Sequence, residues 1–585
     1  MIIKLLAVLH DIYKHFIIYS LRTAFLQVSI TIGGSYLLSW LFRGILISSG
    51  FPGLSMDNIY SFFANPLTFL LLLIYLLVLA FLVFIEFSFL VEILRYKEVP
   101  IAFGFEYFKR DFKNFIYSIK GRHFLSFLSY LLITIPMLRF FFSSALIERL
   151  YIPEFIIGEL QKSNTGQVGL FIAYVLLFYI NIRLVYTLPL TVVRKDHHFT
   201  DNLKTSWQMT AGHSLLTLVG LALIAGSITL VSFMATGVTR AVLTLLFRGD
   251  SSTELLVQTI LVSLTWLIIF AASLLIKLAS LAYLILNLEQ NDIIEIEPNP
   301  KRQKSRWVRL LLLNTAIAFG AFFYNTNRLS NGDPKNVKII AHRGYVDKAV
   351  ENSIEGLKAS KKAGADMVEL DVLMTKDKQF VISHDDNLKR LAGHTKLISQ
   401  SKAKDIIGQA IRQNGHTSQI VSFKTFLEEA QKLNLPLLIE LKPAKNQLDY
   451  AKYFLKELAK VSNNPKNQFM SLDLSLIETI EKRRPDLKTG HVITFQFGDF
   501  ISDKVDFYAL EEFSYTNHIA TLAHDKNKDL YIWTINDQKQ LETYLETPIE
   551  GLITDYPNKA RYEQKHLLSH QQDYLSFLMR FFNLG

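Results

Sequence analysis

Seven stretches in the first 325 residues are apolar over lengths close to the ~20 residues that a bilayer core demands of a helix. They fall near 24–46, 66–90, 124–144, 167–192, 214–238, 255–287 and 307–324. Inside lipid, every backbone N–H and C=O must be paired within the segment itself. The first half of the chain is therefore expected to be a bundle of about seven membrane-spanning helices. The remainder carries no such run and reads as a water-soluble domain. A charged amphipathic stretch, Met1 to Thr23, precedes the first segment without a small-residue cleavage site, so a retained span is expected.

The loops predict an orientation. Residues 47–65 contain no Lys or Arg, whereas the next loop carries Lys97, Lys109, Arg110, Lys113, Lys120 and Arg122. Arg194, Lys195 and Lys204 follow the fourth segment, and Lys301, Arg302, Lys304 and Arg306 precede the last. Basic loops stay in the cytoplasm. The N-terminus is then cytoplasmic and everything after about Asn325 lies outside a plasma membrane. Three charges, Glu86, Arg183 and Lys277, fall inside segments. Ionisable groups in lipid are costly and usually paired. A Glu86–Arg183 pair with Lys277 reaching the interface is the favoured expectation, and an anionic lipid-head site the sharper one. Glu106 to Tyr117 interleaves aromatics and bases as a membrane-surface helix does.

Composition adds two exclusions. The formal net charge is +10, but no basic groove motif accompanies it, so nucleic acid is not an expected partner. There is no Cys, which rules out disulfides and thiolate metal sites.

In the second half, strand-like runs occur at 337–342, 367–373, 379–384, 436–442, 468–473, 489–494, 529–535 and 551–554. Helical patterns such as Ser353 to Ala363, Phe423 to Leu433 and Ser475 to Lys482 lie between them. Alternating strands and helices predict a parallel sheet, and eight strands predict a closed (β/α)8 TIM barrel. The segment Asn387 to Ser422 reads equally as a lid or as a helix on the barrel flank. The expected division is a polytopic membrane domain at 1–325, a linker at 326–336, a barrel at 337–558 and a helical tail at 559–585.

Chemistry-bearing residues sit at or near the C-terminal ends of these runs. Residues i and i+2 of a strand share a face. Glu369 and Asp371 therefore point together, as do Glu440 and Lys442. Three carboxylates converging on one point repel unless a cation lies between them, and hard oxygen ligands suit Ca2+ or Mg2+. Arg343 and Lys442 beside such a cation suit an anionic substrate, phosphate above all. Free imidazole titrates near ~6.5, which suits His342 and His384 to general base and general acid. Asn352 reads either as a group orienting phosphate or histidine or as a helix N-cap. Trp533 reads as a stacking surface for substrate or as filler at the barrel mouth.

The ordered set His342-Arg343-Gly344, Glu351-Asn352-Ser353, Gly364-Ala365-Asp366, Glu369-Leu-Asp371 and His384-Asp385 resembles the motifs of the glycerophosphodiester phosphodiesterase family. Glu440-Leu-Lys442, Trp533-Thr-Ile-Asn536 and Gly551-Leu-Ile-Thr-Asp555 continue it in order. The resemblance covers roughly the last 250 residues, and bacterial members often carry a multi-span N-terminal region of this kind. It implies a TIM barrel, one divalent cation, and hydrolysis of glycerophosphodiesters to glycerol 3-phosphate and an alcohol. It implies metal ligation by Glu369, Asp371 and Glu440, acid–base roles for His342 and His384, and phosphate contact by Arg343 and Lys442. Val350 stands where the family usually has Pro, Ser353 where it usually has Thr, and Leu391-Ala-Gly393 is a loose version of the segment after the second His. None of these departures touches a proposed ligand. Membrane lipids and a lipid-derived substrate are the expected partners, and the oligomeric state stays open. Two rival readings remain. One is a phospholipase C- or D-like enzyme acting on membrane lipids or glycerophosphate polymers. The other is a transporter or sensor whose barrel only binds ligand.

Overall fold

The computed structural model describes residues 1–50, 53–55, 64–95, 112–134, 164–194, 196–246, 254–294, 307–330 and 337–569. The exceptions are 445, 446, 448 and 462, and positions 146 and 157 are also described. The chain forms two compact units. One takes in 1–45, 70–152 and 156–331; the other takes in 46–69, 153–155 and 332–585.

The first unit is helical. Among the described residues, five helices are long and apolar enough to cross a membrane: Phe16–Ser49, Pro66–Leu94, Thr165–Val193, Ser214–Thr239 and Thr259–Gln290. Of the other two expected spans, residues 124–134 lie in the helix His123–Thr134 and 135–144 fall outside the described residues. The last expected span is the helix Trp307–Ser330, whose apolar part is Leu311–Gly320. Large apolar side chains such as Phe171, Leu215 and Phe233 face outward, as a lipid-facing surface requires. Aromatic rings fill the interior: Phe84 stacks on Phe115 at 4.2 Å, and Phe127 meets both Phe115 and Phe199 edge-on.

The buried charges pair differently from the expectation. Lys277 Nζ donates to Glu86 Oε1 at 2.6 Å and to Gln27 Oε1 at 3.2 Å. Arg183 donates instead to Thr210 Oγ1, the Tyr179 hydroxyl and the Trp207 carbonyl, and its guanidinium lies 4.3 Å from the Trp207 ring centroid. The physical reason is position along the helix. Arg183 closes the helix Asn164–Arg183, where the carbonyls and hydroxyls of the next helices are within reach. The surface-helix candidate Glu106–Tyr117 lies partly outside the described residues, as do the end of the 326–336 linker and the tail beyond residue 569.

The second unit is a closed barrel. We number its strands β1 (Gly53–Ser55), β2 (Lys338–Ala341), β3 (Met367–Met374), β4 (Phe380–Ile382), β5 (Ala410–Gln413), β6 (His416–Gln419), β7 (Leu437–Leu441), β8 (Gln468–Ser471), β9 (Lys488–Ile493), β10 (Gln496–Gly498), β11 (Phe507–Glu511), β12 (Asp529–Trp533) and β13 (Gly551–Thr554). Eight of them run in parallel in the order β2-β13-β12-β11-β9-β8-β7-β3, and β3 pairs back onto β2 to close the ring. β1 pairs antiparallel with β10, Gly53 opposite Gly498.

Membership of the barrel differs from the expectation in one exchange. The run at 379–384 is β4, an antiparallel strand outside the ring on β3. Only the turn Thr375–Gln379 separates the two, where Thr375 N–H donates to the Gln379 carbonyl at 2.8 Å. A parallel return needs a crossover of a dozen or more residues, so a turn this tight forces a hairpin. The missing barrel strand is β11, which lies between the expected runs at 489–494 and 529–535.

Alternation sorts each barrel strand into two layers. Outward residues such as Val368, Leu370, Ile439 and Leu510 pack under the surrounding helices. Inward residues Ile340, Met367, Leu438, Met470, Val492, Ala509, Tyr531 and Ile553 fill the interior. Gly490 leaves room for an inward ring: a Cβ there would lie 2.2 Å from Phe507. Helices between strands begin at side-chain caps. Ser353, Ser422 and Asp473 accept from the N–H groups of Gly356, Thr425 and Leu476, each cap worth about 1 kcal/mol. The segment 387–422 is a short helix, Lys389–Ala392, followed by turns and the β5–β6 hairpin. It carries its own small core, in which Leu388, Ile398, Ile406, Ile411 and Ile420 pack with Val350, Leu373 and Val381.

Candidate active site

On five of the barrel strands, the residue two positions beyond an inward-facing core residue brings its side chain to the mouth of the barrel. Ile340 leads to His342, Met367 to Glu369 and then Asp371, Leu438 to Glu440 and then Lys442, Tyr531 to Trp533, and Ile553 to Asp555. Asp371 and Glu440 stand directly opposite in the β3–β7 pairing. Register and alternation together bring one ligand atom each from Glu369, Asp371 and Glu440 within 4.8 Å of one another.

Glu369 and Asp371 are almost fully buried. Burial, together with the Asp371 and Glu440 carboxylates, pushes Glu369 well above the usual carboxylate range. Burial also raises Glu440. Asp371 is buried as well, but Lys442, His384, Arg343 and Asn352 outweigh that cost and hold it far below the usual range. Lys442 Nζ donates to Asp371 Oδ1 at 3.2 Å, and Arg343 Nε lies 3.5 Å from Oδ2. The cluster is short of positive charge at its centre, and its donors are all hard oxygens. These residues fit a divalent cation.

The loop after β2 is shaped for this site. Arg343 and Asn352 adopt φ of 54° and 56°, and Asn352 N–H donates to the Arg343 carbonyl at 2.8 Å. Gly344 has φ 86°, and a Cβ there would lie 3.0 Å from the Gly356 backbone, so a side chain is excluded on both counts. The turn aims the Arg343 N–H at Glu369 Oε2, 2.8 Å away. Asn352 does not cap the helix; Ser353 does. The Asn352 amide instead grips Asp371, donating to Oδ2 at 2.8 Å and accepting the Asp371 N–H at 3.1 Å.

Each histidine rests on a carboxylate. His342 Nδ1 is 2.7 Å from Asp555 Oδ1, and Asp555 Oδ2 accepts the Asn536 amide at 2.6 Å. His384 Nδ1 is 2.7 Å from Asp385 Oδ1. A proton on Nδ1 donated to the carboxylate leaves Nε2 to exchange protons with a substrate. Asp555 is half-buried, and although that desolvation opposes ionisation, His342 and Asn536 hold it below the usual carboxylate range.

The sequence reading gave no role to Asp385, Asp555, Glu351, Arg390 or Gln413. Three of these lie inside recognised motifs, Glu351-Asn352-Ser353, His384-Asp385 and Gly551 to Asp555, so their place in those motifs was the available signal. Arg390 and Gln413 sit in the segment after β4 and carry no sequence signal of their own. Trp533 stands apart from this network: its indole N–H donates to the Ala509 carbonyl at 2.9 Å, and the ring packs on the barrel interior.

Comparison with known proteins divides the chain at the same place. Residues 5–323 match the model for the membrane domain of glycerophosphoryl diester phosphodiesterase, and residues 342–559 match that for the glycerophosphoryl diester phosphodiesterase family. Among relatives, the chain is 24% identical over 239 residues to a glycerophosphodiester phosphodiesterase of Caldanaerobacter subterraneus, covering 37% of this chain and 94% of the relative. It is 22% identical over 274 residues to the human lysophospholipase D GDPD1, covering 38% and 85%. Among solved structures, it is similar to an Oleispira antarctica phosphodiesterase in complex with the product sn-glycerol-3-phosphate, at 19% identity and a TM-score of 0.36, covering 39% and 96%. From the membrane helices to the last barrel strand, the chain belongs to the glycerophosphoryl diester phosphodiesterase family and is an enzyme of that class.

Proposed function

We propose that this enzyme hydrolyses glycerophosphodiesters to glycerol 3-phosphate and an alcohol, using one divalent cation held by Glu369, Asp371 and Glu440. The observation that carries the reading is the pairing of two carboxylate-backed imidazoles with a tight cluster of three acids at one barrel mouth. When bound, the cation supplies Lewis-acid polarisation of a phosphate oxygen. Arg343 and Lys442 balance the remaining phosphate charge, and Asn352 keeps Asp371 in place. His342 Nε2 takes the proton of the attacking water, or of the substrate's own glycerol 2-hydroxyl with water then opening the cyclic phosphate, and His384 Nε2 gives one to the departing alkoxide. Asp555 and Asp385 hold the imidazoles in the required tautomer and stabilise whichever becomes charged. Trp533 offers an apolar ring at the rim to the carbon portion of the substrate. The alternation of basic and base-free loops supports a multi-pass plasma-membrane protein with a cytoplasmic N-terminus and an external barrel, beside lipid headgroups and deacylated phospholipids.

The test is release of glycerol 3-phosphate by the full-length protein in liposomes. Glycerophosphocholine, glycerophosphoglycerol and a lysophospholipid are supplied in turn, with Ca2+, Mg2+ or a chelator. Cation-dependent release that falls by about 10²–10⁴ in His342→Ala is the expected result. Release that survives both the chelator and the substitution would sink the reading.

A further inference from the structure

Arg390, on the short helix after β4, has three of its N–H groups on carboxylates. Nη1 and Nη2 donate to the two oxygens of Glu351 at 2.7 and 2.5 Å, and Nε donates to Asp385 Oδ2 at 2.7 Å. Asp385 turns its other oxygen to His384 Nδ1. Glu351 is gripped from further sides. Gln413 on the β5–β6 hairpin donates to its Oε2 at 2.9 Å and accepts its backbone N–H at 2.7 Å, and Arg343 Nη1 approaches Oε1 at 3.5 Å. Glu351 is almost fully buried, and although burial opposes ionisation, Arg390 and Arg343 keep it charged, with its pKa down at about 2.

We infer that Arg390 is a positioning residue for His384, and that the segment 387–419 serves to hold it there. The inference rests on the reading of His384 as a proton-transfer group. A carboxylate bonded through one oxygen can swing, and the imidazole it carries swings with it. A guanidinium is planar and charged at every working pH, and its fork spans two acceptors at once. Bridging Glu351 to Asp385 therefore fixes the second oxygen of Asp385 and, through the first, the plane of His384. The same Glu351 lies against Arg343, which faces Asp371 of the acidic cluster. A single buried carboxylate thus sets the distance between the phosphate-side arginine and the proton-transfer histidine. The segment is no mobile cover in this arrangement. Its Leu388, Ile398, Ile406, Ile411 and Ile420 are buried against Val350, Leu373 and Val381, and they carry Arg390 and Gln413 to Glu351 from two directions.

A lysine keeps the charge but presents its donors from one nitrogen, so it reaches one acid well and the other poorly. Arg390→Ala, Arg390→Lys, His384→Ala and the double variant Arg390→Ala/His384→Ala are compared in the full-length protein, with glycerophosphocholine as the probe. Arg390→Ala should lower kcat by about 10- to 100-fold with KM within about threefold of the parent, and Arg390→Lys should fall between. In the His384→Ala background the further loss should be under about threefold, because the group being positioned is gone. A merely structural role would give a loss that multiplies through that background. That result, or an unchanged kcat in Arg390→Ala, overturns the inference. If Arg390→Ala does not fold, Asp385→Asn leaves the Arg390–Glu351 pair and puts the same question through Asp385→Asn/His384→Ala, and an unchanged kcat in Asp385→Asn overturns it too. A parent protein that releases no glycerol 3-phosphate fails at the earlier step and overturns the functional reading itself.

Discussion

The membrane unit and the barrel both bury charge, and they treat it in opposite ways. In the helical unit one acid meets one base: Glu86 and Lys277, 2.6 Å apart, with Gln27 beside them. That pair cancels locally, while Arg183 spreads its charge over neutral acceptors. At the barrel mouth three acids crowd within 4.8 Å, and the bases around them are shared among several partners. Matched charge holds helices together. Unmatched charge, kept in place by a fold that could have avoided it, marks where a cation and an anionic substrate belong.

Three changes break or sharpen that contrast. The largest effect is expected for Glu369→Gln. Activity should fall by more than about 100-fold, beyond the range for groups one step removed from a metal. With chelator present, the thermal midpoint of the barrel should stay level or rise, because a crowded carboxylate has been neutralised. A clear drop in that midpoint would show that the cluster stabilises the fold on its own. Next comes Lys277→Leu, which strands the Glu86 carboxylate among packed helices at a cost of about 3–5 kcal/mol. Adding Glu86→Leu should recover most of that loss, as measured by denaturation in detergent. A single and a double variant of equal stability would mean that the pair does not act as a unit. The smallest effect concerns acid. The Glu351 carboxyl titrates at about 2 in the folded protein, against an unfolded value near ~4.3. A depressed folded value contributes stability that is fully present above the unfolded pKa and is lost as pH falls toward the folded one. The barrel should therefore lose up to about 3 kcal/mol between roughly pH 4.5 and pH 2. Glu351→Gln should flatten that part of the stability curve.

Much of the site was legible because strand alternation is a strong rule. Glu369, Asp371, Glu440 and Lys442 were placed on common faces from spacing alone, and the register of β3 against β7 did the rest. The expected eight-fold ring was right in number and wrong in one member. Strand propensity does not distinguish a parallel from an antiparallel neighbour, but the short turn after Met374 does. Helix pairing in the membrane unit was less legible. Which base meets Glu86 depends on how each helix is rotated about its axis, and an all-round apolar helix gives no face to read. Asp555 lies more than two hundred residues from the histidine it supports, so only closure of the ring brings them together. Arg390 was invisible for a related reason: its partners Glu351 and Asp385 come from two different loops.

The short pairing of β1 with β10 carries a counting rule. Residues 53–55 fold in the same unit as the barrel, so the chain from Ser55 to Lys338 leaves and returns on one face of any bilayer it traverses. A chain that crosses a bilayer between them therefore crosses an even number of times. Among the described residues, four long apolar helices follow Ser55 and would satisfy that by themselves. The two remaining expected segments, at 124–144 and 307–324, would then be tied together although they lie far apart in sequence: both cross, or neither does.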